Sequence, residues 1–205
     1  MHIDLFARGL VIGFAIAAPV GPIGMLVIRR TLSDGRLLGL LTGMGAAVAD
    51  SFYGGVGAFG LTFISNFLMG YKSWTQLIGG TFLIYLGIST FRANPREESS
   101  GDTKARFVSA FLSTLLLTLT NPATILSFMA VFAGLGLGTN GGDYGAAGIV
   151  VAGVFLGSAL WWLLLSGGVS LVRHKLTPQA MKWINCGSGI FLSAFGLYAL
   201  LSLAI

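Results

Sequence analysis

The sequence predicts an all-α integral membrane protein. Six transmembrane helices form two inverted three-helix repeats, with helices 1 and 4 broken by proline. Three observations lead there. Apolar residues make up 55% of the 205 residues and charged residues 9%, against about 25% charge in a soluble domain. Glycine contributes 31 residues, as expected where membrane helices approach closely through small side chains. A pattern also recurs at an offset of 109 residues: Trp74, Gly80, Phe82, Leu83 and Gly87 return as Trp183, Gly189, Phe191, Leu192 and Gly196. This composition excludes a soluble enzyme domain, a nucleic-acid binder and a disulfide scaffold. The net charge of +5 has too little polar surface to build a nucleic-acid face.

A helix needs about 20 apolar residues to cross the hydrocarbon core. Leu10 to Ile28 is uncharged and gives span 1. Its Ala15-Ile16-Ala17 resembles a leader-cleavage site, but the apolar run continues to Ile28 and the basic pair Arg29-Arg30 follows it. A leader carries its positive charges in front, so a retained helix is expected. Leu37 to Met69 holds one charge, Asp50, and gives span 2. Trp74 to Phe91, Phe107 to Leu137, Tyr144 to Val172 and Trp183 to Ile205 are uncharged and give spans 3 to 6. The polar stretch Ala93 to Arg106 reads as a linker. The chain is thus one membrane transport domain over 1–205, with repeat 1 at about 1–92, the linker at about 93–106 and repeat 2 at about 107–205.

Ten of the twelve Lys and Arg residues fall in the loops after spans 1, 3 and 5 or at the entry to span 6. Positive loops face the cytoplasm, so both termini are expected outside. An odd number of spans per repeat makes the second copy insert upside down. Inverted repeats with interrupted helices at matching positions point to a secondary transporter. Spans 1 and 4 supply the interruptions, at Pro19-Val20-Gly21-Pro22 and at Asn121-Pro122. Proline lacks an N–H and pushes the preceding residue away from helical geometry. Spans 2 and 5 match more weakly, as Gly45-x4-Asp50 against Gly153-x4-Ser158.

Asp50 is the one formal charge inside a predicted span, and an intramembrane carboxylate is a functional-site candidate by default. Its helical neighbours Gly43, Ala46, Ala47, Gly54, Gly57 and Ala58 are small, whereas Leu41, Met44, Val48, Phe52 and Phe59 occupy the other side. The acid therefore faces another helix or a cavity. It can exchange a proton, pair with a substrate ammonium, or cap broken backbone. Asn121 beside Thr120, Thr124 and Ser127 offers donors and acceptors; local back-bonding at a proline kink is the plain alternative. Tyr53 and Trp161-Trp162 line a pathway or pack. Arg29 and Arg30 read as topological anchors before anion ligands. Cys186 reads as a buried hydrophobe, and His2 and His174 as solvated or interfacial. The glycines Gly35, Gly39 and Gly43 serve internal packing or, alternatively, a homodimer.

A helix beginning at Pro22 or Pro122 presents unpaired N–H groups that suit a carboxylate, and a neighbouring acid suits an ammonium. A zwitterion carries both, so an amino acid is a natural ligand for this constellation. No cofactor is called for. A single carboxylate is too few for a hard metal cation, and no span holds a catalytic dyad. The alternatives are an exporter of another small solute or metal ion, or a non-transporting membrane scaffold.

The segment Ala18-Pro19-Val20-Gly21-Pro22-Ile23-Gly24, then Arg29-Arg30, Asp50 in a glycine-rich second span and Asn121-Pro122, resembles the lysine exporter (LysE/RhtB) family of amino-acid exporters. The resemblance covers nearly the whole chain. It implies a multi-pass protein of the bacterial inner membrane that exports an amino acid, driven by the proton gradient or membrane potential. The family's glycine–proline signature maps onto Gly21 and Pro22, its span-2 acid onto Asp50, and its asparagine–proline pair onto Asn121 and Pro122. Pro19, Gly24, Tyr53 and Thr124 complete the expected substrate site, with Asp50 also the proton-coupling group. Two departures stand out. Val20 separates Pro19 from Gly21 where many relatives have Pro-Gly-Pro. Ile23-Gly24 replaces the Gln-Asn that tends to follow Gly-Pro in exporters of basic amino acids, so a neutral or apolar substrate is at least as well supported as lysine or arginine.

Overall fold

Glycine and proline divide the chain into eight α-helices among the described residues, which in this computed structural model are 2–19, 21–60, 70–93, 103–134 and 144–203. They are α1 (His2–Ala17), α2 (Pro22–Asp34), α3 (Arg36–Ala58), α4 (Lys72–Arg92), α5 (Thr103–Leu119), α6 (Pro122–Gly134), α7 (Tyr144–Arg173) and α8 (Pro178–Leu201). The two proline interruptions are real breaks. α1 and α2 bend by 79°, and α5 and α6 by 62°. Pro22 takes the first position of α2 after an extended Gly21, where its missing N–H removes nothing from the helix. Gly35 alone links α2 to α3, with φ of +102°, a conformation that side chains rarely tolerate.

α3, α7 and α8 are each long and apolar enough to cross a membrane, and each bent pair qualifies as one further span. This gives three to five spans by length and composition, and α4 is not among them although it has 21 residues. Its apolar side chains Trp74, Leu77, Ile78, Tyr85, Ile88 and Phe91 point outward, while Gln76 and Thr90 are buried. Those inward polar groups lower its mean hydropathy. Two expected boundaries also move. α3 ends at Ala58, and 61–69 lie outside the described residues; so do 94–102 of the expected linker, whose last residues 103–106 form the first turn of α5. Val20 lies outside them as well.

Backbone-to-backbone contact through glycine builds the bundle. A Cβ added at Gly13 of α1 would lie 2.1 Å from the Val154 carbonyl oxygen, and one at Gly157 of α7 would lie 2.0 Å from that of Leu10. α3 meets α5 the same way: a Cβ at Gly45 would lie 2.3 Å from the Phe111 oxygen and 3.0 Å from the Leu115 nitrogen. At Gly153 it would lie 2.5 Å from the Phe6 oxygen and 2.9 Å from the Leu10 nitrogen, the same pair of atoms one helical turn apart. α4 and α8 run antiparallel with reciprocal contacts, Gly80 against the Gly196 carbonyl and Gly87 against that of Gly189. The glycines Gly39 and Gly43 are occupied inside the bundle, by Thr31 and Trp162.

One end of the bundle is tied by arginines of α2, α5 and α7. Arg30 donates to the Ala110 carbonyl (3.1 Å), Ser113 Oγ (3.0 Å) and Thr42 Oγ1 (3.2 Å). Arg29 donates to Asn185 Oδ1 (3.2 Å), and Arg173 to the Leu32 carbonyl (3.1 Å). Asp34 pairs with Arg106. These bonds hold α2 to α3, α5, α7 and α8 at the end where most basic residues lie.

Candidate functional site

The two helix breaks, the middle of α3 and the halves of α4 and α8 remote from the arginines enclose a cavity of about 340 Å³. This lies at the small end of the range for small-molecule sites. Of the residues expected at a substrate site, Pro19, Gly21, Pro22, Gly24, Asp50, Asn121 and Thr124 line it. The side chain of Pro122 lies outside the described residues.

Asp50 is 3% exposed, on the buried face of α3 with Ala46, Ala47 and Gly54, while Val48, Phe52 and Phe59 point outward. The helical period thus sets its direction. Its partner is Ser158 of α7, whose hydroxyl donates to Asp50 Oδ2 at 2.7 Å. Trp162 Nε1 donates in turn to Ser158 Oγ at 3.1 Å. An indole N–H can only donate. It therefore occupies a lone pair of the serine oxygen and leaves the serine proton for the carboxylate. No buried polar side-chain atom among the described residues lacks a partner. The second carboxylate oxygen, Oδ1, has no bond to a described residue, and Asp50 lines the cavity.

The two breaks differ at the helix starts they create. Asn121 Oδ1 accepts from the Ala123 N–H at 3.1 Å, capping the first turn of α6. Thr120, Thr118 and Ser127 bond back to carbonyls within their own helices. The local back-bonding considered from the sequence is therefore present here. α2 has no side-chain cap at Gly21. The Met25 N–H reaches the Gly21 carbonyl, and among the described residues no group caps the N–H of Ile23 or Gly24 at the start of the helix. Both residues border the cavity.

Tyr53 is absent from the lining. It is 3% exposed and donates its hydroxyl to the Leu119 carbonyl at 2.6 Å. That carbonyl belongs to the last turn of α5, where no helical N–H remains to satisfy it. Trp162 does line the cavity while packing against Ala17, Val27, Ala46 and Ala47. Sequence reasoning missed Gln76 and Ser202. Gln76 is 9% exposed and donates its Nε2 to Ser202 Oγ at 3.0 Å, and both border the cavity. A lone amide inside an apolar span was the available signal. Among the described residues no group of three or more His, Cys, Asp or Glu could hold a metal ion.

The family model for LysE type translocators matches residues 14–203. The chain belongs to the LysE translocator family. The match to LysE translocators runs through both helix breaks and the cavity. Among curated relatives, the putative amino acid efflux protein YcgF of Bacillus subtilis is 27% identical, covering 95% of this chain and 94% of its own. The lysine exporter LysE of Corynebacterium glutamicum is 24% identical, over 97% and 99%. The threonine efflux protein of Salmonella typhimurium is 25% identical, over 98% and 100%. No solved structure matches. Family membership and the apolar helices make this a multi-pass membrane protein of a transporter family rather than of an enzyme family.

Proposed function

We propose that this LysE-family protein exports an amino acid across the bacterial inner membrane by alternating access. The observation that carries the reading is the pairing of two poles in one cavity. The uncapped N–H groups of Ile23 and Gly24 suit the substrate carboxylate, since a helix start acts as a partial positive charge of about +0.5. Asp50 Oδ1 suits the ammonium, or a proton exchanged for it. The named relatives that efflux amino acids support the same reading.

Two inverted repeats of three spans give the architecture, α4 being the third span. The supporting relation is internal. Shifting the Gly80–Gly196 contact by 109 residues turns it into Gly189–Gly87, the contact present on the other side of the α4–α8 crossing. A two-fold axis in the membrane plane has this self-complementary property. Asp50 and Ser158, the weakly matched pair, bond to each other, as residues near such an axis would. With the basic loops cytoplasmic, the arginine ties close the inner side and the cavity belongs to the outer one.

The test is efflux from proteoliposomes loaded with labelled amino acids under an imposed proton gradient. Asp50→Asn removes a charge-assisted contact worth about 1.5–3 kcal/mol, so efflux falls on the order of 10- to 100-fold, each 1.4 kcal/mol being tenfold. Wild-type efflux with unchanged pH dependence in Asp50→Asn would sink the role of Asp50.

A further inference from the structure

We infer that the substrate is an amino acid with an uncharged side chain, and that Gln76 on the α4 wall is the residue that sets this preference. The inference deepens the exporter reading and rests on it. Among the described residues the cavity offers one anionic group, Asp50; the rest of that lining carries no Asp or Glu. That one carboxylate is half committed. Ser158 holds Oδ2, and Trp162 fixes the direction of that bond by occupying the serine lone pair. Oδ1 remains to receive one ammonium. Lysine brings two ammonium groups separated by five carbons, so one of them would enter the membrane interior without an anionic partner. A buried charge lacking its partner is strongly disfavoured. The walls where a side chain would lie are apolar or neutral. Ile23, Leu83 and Phe195 supply the apolar part, and Gln76 with Ser202 the polar part.

Gln76 is the place on this wall where glutamate would supply the second anion that a basic substrate needs. Its amide donates to Ser202 Oγ, whose own proton goes to the Ala199 carbonyl at 2.9 Å. Glutamate has nearly the same shape as glutamine. The Ser202 hydroxyl can rotate to donate to a carboxylate in that position, so the wall accepts the exchange without a new unpaired donor.

The experiment measures efflux of leucine, threonine and lysine from proteoliposomes containing the wild-type chain, Gln76→Glu or Ser202→Asp. Each protein is first shown to be monodisperse with a cooperative thermal transition. The wild type is expected to move leucine or threonine at least about tenfold faster than lysine. Gln76→Glu, or Ser202→Asp if the former does not fold, is expected to raise lysine efflux by a similar factor. Lysine efflux by the wild type at the neutral rate overturns the inference while leaving an amino-acid exporter. Folded acidic variants that fail to gain lysine efflux overturn the assignment to this wall. A folded wild type that moves none of the three overturns the exporter reading itself.

Discussion

Asp50, when ionised, is held by a chain of two donors. The indole of Trp162 gives its proton to Ser158, and Ser158 gives its own to Asp50. Removing the middle group leaves two buried polar groups without their partner at once. Ser158→Ala is therefore expected to destabilise the protein by about 1.5–3 kcal/mol, the range for a hydrogen bond to a charged group. Thermal unfolding in detergent measures it; an unchanged midpoint would mean that water or another side chain replaces the hydroxyl. Asn121 shows the opposite use of a polar residue. Its carbonyl is committed to the Ala123 N–H and caps α6, whereas no side chain caps α2 at Gly21.

Among the helices, glycine decides which pairs can touch. The α1–α7 crossing brings backbone against backbone at Gly9, Gly13, Gly153 and Gly157. A side chain at Gly157 would start 2.0 Å from the Leu10 carbonyl oxygen, and rigid backbone cannot yield as a flexible side chain does. Gly157→Val is thus expected to cost at least about 1–3 kcal/mol and to push α1 off α7. Gly148→Val, on the same helix with open space around its Cβ position, serves as the control. Comparing their unfolding midpoints checks the claim, and equal shifts would refute it. The same geometry explains why α4 carries polar residues. Its contact with α8 is made by Gly80 and Gly87, and the inward amide of Gln76 is satisfied by Ser202 on the same partner.

Across the whole molecule, the arginine ties lie at one end, and the cavity runs from the middle of α3 to the halves of α4 and α8 remote from them. Arg30 joins α2 to α3 and α5 through part-buried bonds to Thr42, Ala110 and Ser113, whereas Arg106 pairs with Asp34 alone among the ties named. Arg30 thus ties more groups at this end. Thr114 is fully buried beside it. In an Arg30→Ala background, a cysteine introduced by Thr114→Cys is expected to react faster with a water-soluble maleimide than in the Arg30 background, by roughly tenfold if about 1.4 kcal/mol of closure is lost. Equal rates would show that packing alone seals this end.

The sequence by itself determined where the helices break, which face of α3 carries Asp50, and which glycines recur at an offset of 109 residues. These features are local. Proline and glycine act on their immediate neighbours, and the helical period fixes a face within a few turns. The tertiary structure alone decided the partners. Ser158 meets Asp50 across 108 residues of chain. Tyr53, on the same helix as Asp50, satisfies the carbonyl at the end of α5 instead of facing the cavity. Gln76 and Ser202, 126 residues apart, share one wall. No local rule selects among such pairings. They follow from how glycine contacts bring the helices together and from the requirement that buried polar groups find partners.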